Sequence, residues 1–124
     1  MSAIDLGDIL SNAIERITTL EAPISVNIQT GASYTLALAD AENRVERNNA
    51  SAHTTTVPPN SSVPFPLETT ILLRNYGTGA MSIVAGSGVT IRSRGGSLSL
   101  AGQYSSALLT KRGTDEWMLD GDLT

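Results

Sequence analysis

The chain has no cysteine, so it offers neither a disulfide framework nor a thiolate metal site, and cysteine usage says nothing about redox compartment. Aromatic residues make up 4% of the 124 residues: one Trp, one Phe and three Tyr. That is a thin supply of large side chains for a core. Charged residues are 16%, against a usual share of about 25%, and the surface is left to Ser, Thr and Asn. Both shortages fit a chain that completes its core by assembling with copies of itself. The net charge of −4 argues against a phosphate backbone as partner. No apolar run approaches the roughly 18 residues needed to cross a bilayer. The first residues lack a basic stretch followed by an apolar core, which argues against a secretory signal. The expected partners therefore include no nucleic acid and no membrane.

Catalytic and cofactor patterns are equally scarce. The single histidine, His53, lies in a Thr-rich run with no ligands at metal-binding spacing and reads as a surface or edge-strand residue. There is no G-x-S-x-G elbow for a nucleophilic serine. The Gly77-Thr78-Gly79 and Gly86-Ser87-Gly88 pieces are bracketed by strand-like residues, so they read as β-turns rather than phosphate cradles. Asp115, Glu116, Asp120 and Asp122 form an acidic cluster that could in principle hold Ca²⁺, but their places in a turn and a tail favour solvated carboxylates. No cofactor and no enzymatic activity are expected.

What is present divides into two parts, an N-terminal segment of residues 1–23 and a β domain of residues 24–124. Ser2 and Asp5 stand as a capping-box-like start. Leu6, Leu10, Ala13, Ile17 and Leu20 then follow a 4-3-4-3 spacing, and Pro23 closes the run. The spacing predicts an α-helix with a heptad seam. A lone helix of that length is marginal in water, so the seam must be buried on the β domain, on copies of the chain or on a larger platform.

After Pro23 the apolar period changes to two. Ile24, Val26 and Ile28 alternate with polar residues, as do Tyr34, Leu36 and Leu38, and both runs read as half-buried strands. A short strand at Arg44–Arg47, a Thr-rich one at His53–Val57 and another within Glu68–Asn75 follow. Between the second and third, Pro58, Pro59, Pro64 and Pro66 remove backbone donors, so this segment reads as an exposed turn leading to an edge. Beyond Asn75, glycines punctuate short strands near residues 81–85, 89–92, 97–100, 105–111 and 115–120. No strict repeat length emerges, which ranks a compact, mostly antiparallel sandwich or barrel-like domain above a solenoid. Arg92 and Arg94, with Lys111 and Arg112 on the neighbouring segment, form a candidate basic contact for a partner.

Several phrases occur together and in order: Tyr34-Thr-Leu-Ala-Leu-Ala-Asp40, Asn48-Asn-Ala-Ser-Ala52, Thr56-Val-Pro-Pro-Asn-Ser-Ser62, Gly88-Val-Thr-Ile-Arg92, Leu100-Ala-Gly-Gln-Tyr104 and Gly113-Thr-Asp-Glu-Trp117. Over residues 33–123 the chain resembles a β module of virion structural proteins of tailed bacteriophages, found in tail-fibre-like proteins and in small stand-alone virion proteins. His53 and Thr54 depart from the small or aliphatic residues expected there. The resemblance implies a non-enzymatic virion component, a homotrimer, whose partners are itself and the major capsid protein or another virion protein. With a short anchor, one module and no shaft, a capsid decoration protein (cement or head-fibre) is the favoured form. The alternative is a receptor-binding module at a tail tip, touching host glycans through the 58–66 turn and the Asn48–Ser51 loop. A polysaccharide depolymerase lacks the length and the carboxylate pair.

Overall fold

The computed structural model describes residues 24–124. The predicted helix and its seam, Leu6, Leu10, Ala13, Ile17 and Leu20, lie outside the described residues. Within them the chain is mainly β, with no α-helix.

Nine strands form the fold: β1 (Val26–Gln29), β2 (Ser33–Thr35), β3 (Arg44–Arg47), β4 (His53–Val57), β5 (Thr70–Asn75), β6 (Met81–Ala85), β7 (Thr90–Ser93), β8 (Ser106–Gly113) and β9 (Glu116–Gly121). They build a six-stranded sheet in the order β1-β3-β5-β8-β9-β7 and a three-stranded sheet in the order β2-β4-β6. The expectation of a mostly antiparallel domain is corrected. β1, β3 and β5 run parallel, as do β2, β4 and β6 and the β7–β9 pair. Only β5–β8 and β8–β9 are antiparallel strand pairs.

The reason is that the chain winds. β1 and β2, β3 and β4, and β5 and β6 are successive coils, each adding one strand to each sheet. The coils are unequal. Val26 is paired with Arg44 and Arg44 with Leu72, so the first step takes 18 residues and the second 28, and no fixed repeat shows in the sequence.

The corners between the sheets stack as well as the strands. Asn48 N donates to Gln29 O (3.1 Å), Tyr76 N to Arg47 O (2.9 Å) and Gly79 N to Asn49 O (2.9 Å). Gly77 and Gly79 are required here, because a Cβ at either would collide with the backbone of Asn49 or Ser51.

The two sheets face each other across one core. Leu36, Val45, Val57, Ile71, Leu73, Met81, Ile83, Leu109, Trp117 and Leu119 supply its buried apolar side chains. Phe65 joins it edge-on to Trp117, with centroids 5.5 Å apart. The Pro-rich segment is therefore only partly the exposed turn its sequence suggests: Ser61, Ser62 and Pro64 are exposed while Phe65 is buried. β1 also departs from expectation. Asn27 and Gln29 take the more sheltered face, and Ile24, Val26 and Ile28 are 61%, 40% and 59% exposed.

Candidate binding surfaces

Four places carry chemistry beyond packing. The first is the interior of the opening coils, which is polar. Asp40, buried, accepts from Tyr34 Oη at 2.6 Å, from Asn27 Nδ2 at 3.0 Å and from the Ala37 amide at 2.9 Å. Asn27 Nδ2 also donates to Tyr34 Oη (2.8 Å). Burial, reinforced by the hydrogen bond to Asp40 and the charge on its carboxylate, pushes the Tyr34 phenol up to about 12. Arg47 is fully buried and donates to the carbonyls of Gln29 (2.9 Å), Gly31 (2.8 Å) and Thr54 (3.0 Å) and to Thr55 Oγ1 (3.1 Å). Its guanidinium lies 5.9 Å from the Tyr34 ring centroid, and burial pulls its pKa down. These groups satisfy one another and bind the first turn to the second, which is structural work. His53 is also buried rather than at the surface; its Nδ1 contacts Ser51 O at 3.0 Å, and its Nε2 has no hydrogen-bond partner among the described residues.

The second place is the basic set predicted from the sequence, which the fold separates. Arg92 and Arg112 both reach Glu116, at 2.6 and 3.6 Å, with the two arginine side chains largely exposed. The Arg92 hydrogen bond in the first place holds the Glu116 carboxyl below its usual range. Arg94 lies past the end of β7, exposed, beside a cleft lined by Asp120. Lys111 faces the opposite way. It is buried, and its Nζ donates to Asn60 Oδ1 (2.6 Å) and Phe65 O (2.7 Å). Lys111 is buried against the core side while Arg112, the extra residue of a bulge between Lys111 and Gly113, is exposed, so the two do not share a surface. Lys111 is a clamp on the Pro-rich loop, and the four residues form no single contact.

The acidic cluster also disperses into local contacts. Asp115 Oδ1 caps the Asn60 amide (2.8 Å) and Glu116 is tied to arginines. Among the described residues no three His, Asp or Glu side chains are grouped so as to hold a metal ion.

The third and fourth places are surfaces the sequence reading did not single out. Among the described residues β1 is an edge strand, paired on one side only, and it carries the exposed apolar stripe Ile24, Val26 and Ile28. At a corner further along the stack, Tyr76 and Tyr104 form an exposed pair, with centroids 5.6 Å apart. Period-two alternation identified the apolar members of β1 but not which way the strand faces, because either parity satisfies the pattern. No signal in the sequence joins Tyr76 to Tyr104. Comparison with family models, with curated proteins and with solved structures returned no match for the chain.

Proposed function

We propose that this chain is a non-enzymatic structural protein of a tailed-bacteriophage virion, a homotrimeric capsid decoration protein that docks on the particle and stabilises it. The kinship rests on the ordered phrases between Tyr34 and Trp117. The observation that supports the assembly is the exposed stripe Ile24, Val26 and Ile28 on β1, which stands at the edge of the six-stranded sheet of the described residues. Three side chains make a patch far smaller than the roughly 800 Å² per partner of a stable interface. The stripe leads directly from residues 1–23, whose Leu6, Leu10, Ala13, Ile17 and Leu20 have the spacing of a second apolar surface. In this proposal the two segments contribute to one interface, whose occupant is a second copy of the chain. Threefold repetition would then multiply weak contacts to the capsid into durable binding.

Ile28→Asp is expected to reduce the assembly to monomers while leaving the β domain folded; light scattering reads the mass and far-UV circular dichroism the fold. A trimeric mass for that variant would remove the stripe from the interface. Antibody-gold labelling of intact particles tests the location: gold over the head supports decoration, and gold confined to the tail end overturns it.

A further inference from the structure

In a chain with five aromatic residues, two are turned to solvent. Tyr76 is 49% and Tyr104 65% exposed, and their ring planes meet at 72°. In that arrangement the edge of one ring meets the face of the other, so the pair forms an angled corner with ring surface left open.

The corner is held rigidly from beneath. Asn75, fully buried, donates through Nδ2 to the carbonyls of Gly79 (3.0 Å) and Gly102 (3.2 Å). Its backbone N donates to Ser105 O (3.0 Å) and its carbonyl accepts from Tyr104 N (2.6 Å). Gln103 Nε2 donates to Tyr76 O (3.2 Å). Tyr104 sits at φ +68°, a left-handed conformation that is unfavourable for a bulky residue and better suited to Gly or Asn. An exposed ring at a strained position adds little to the core. What Tyr104 contributes is the presentation of its ring beside that of Tyr76.

The charges nearest the corner are paired: Arg74, on β5 two residues before Tyr76, donates to Ser106 Oγ (3.1 Å) and reaches Glu46 (3.7 Å). None of the ion pairs among the described residues includes Asn48, Tyr76, Gln103 or Tyr104.

We propose that this corner is a carbohydrate-binding site for neutral pyranose units. The C–H face of a pyranose is electropositive and apolar and suits the negative face of an aromatic ring. Its hydroxyls suit the phenol oxygens and amides around the pair. A contact between protein chains would centre on aliphatic side chains; the exposed aliphatic residues of this sheet, Leu108 and the β1 stripe, are set apart from the pair by Ser106, Arg74 and Glu46, while the exposed Gln103 amide adjoins Tyr104. The rings are positioned in advance, which lowers the ordering cost of binding. So small a platform predicts a Kd of about 1 mM per site, multiplied where copies act together. This site does not depend on the virion reading.

The test is saturation-transfer NMR on the full chain, with maltotetraose and chitotetraose as probes at about 5 mM, enough to fill a site of Kd near 1 mM. Saturation is expected to reach the ring C–H protons of at least one probe. Tyr104→Asn, which keeps a residue tolerant of left-handed backbone, should weaken that binding about tenfold or more with the melting temperature little changed. Gln103→Ala should weaken it several-fold, and Tyr104→Phe, which keeps the ring and loses only its phenol oxygen, should weaken it less than Tyr104→Asn. No transfer to either probe from the parent protein, or equal transfer in the Tyr104→Asn and Tyr76→Ser variants, overturns the proposal. A drop in assembly mass on Tyr76→Ser or Tyr104→Asn also overturns it, because the rings would then be a contact between copies.

Discussion

The two ends of the stack are stabilised by different physics. The first two coils turn Asn27, Gln29, Tyr34, Asp40, Arg47, His53 and Thr55 toward the interior or bury them, with Leu36, Val45 and Val57 among them. From β5 onward the buried positions are chiefly Ile71, Leu73, Met81, Ile83, Leu109, Trp117 and Leu119. At the polar end nearly all the buried groups have partners, because an unmade hydrogen bond there costs more than a made one gains. The apolar end depends chiefly on volume and shape, with Asn75 and Lys111 among its hydrogen-bonded exceptions. Polar groups with directional bonds fix how one turn sits on the next, as Arg47 does by gathering the carbonyls of Gln29, Gly31 and Thr54. Apolar packing supplies most of the free energy but less orientation. A stack with unequal coils has use for both.

Truncating the apolar end should have the largest effect. Trp117 is 1% exposed and packs edge-on against Phe65, so Trp117→Ala should cost about 3–5 kcal/mol in urea unfolding. An unchanged midpoint would place the main stability elsewhere, in the polar coils. Lys111→Met keeps the length of the side chain but removes the donor from Asn60 Oδ1 and Phe65 O. The loss should be about 2–3 kcal/mol. Hydrogen exchange should rise selectively in the Pro58–Thr69 loop; uniform exchange would show that Lys111 does not clamp it.

Much of this arrangement was legible in the sequence, and the rest was hidden for identifiable reasons. The strand at His53–Val57 is legible because its β-branched run between turn residues leaves a local signature, whereas Arg44–Arg47 shows only Val45 among charged residues in a polar stretch. Pairing direction was not legible, because it depends on which strands meet, and the 18- and 28-residue steps conceal the winding. The facing of β1 was not legible either, because the alternation of Ile24, Val26 and Ile28 that reads as a half-buried strand does not say that Asn27 and Gln29 take the sheltered side. Lys111 was placed on the surface on the general rule that lysines are exposed, and only the fold reveals that Asn60 and Phe65 meet it. Tyr76 and Tyr104 are far apart in sequence, and nothing local announces a pair.

The smallest predicted effect probes the polar end alone. Tyr34→Phe removes a donor to Asp40 and an acceptor for Asn27, and should cost about 1 kcal/mol near neutral pH. Its sharper signature is in pH. The Tyr34 phenol is raised from 10.0 to about 12 in the folded chain. Below pH 10 both folded and unfolded chains keep the proton, and the contribution of the pair is complete. Between pH 10 and about 12 the unfolded chain gives up its proton while the folded one holds it, so stability falls as pH rises. The difference in melting temperature between the parent and Tyr34→Phe should therefore be constant up to pH 10 and shrink above it. The phenolate absorbance of the parent should contain a late component near pH 12 that the variant lacks. A difference that stays constant through that window would mean that the phenol is open to water and that the first coil is not closed by its polar network. The contrast between the two ends would then reduce to one of composition.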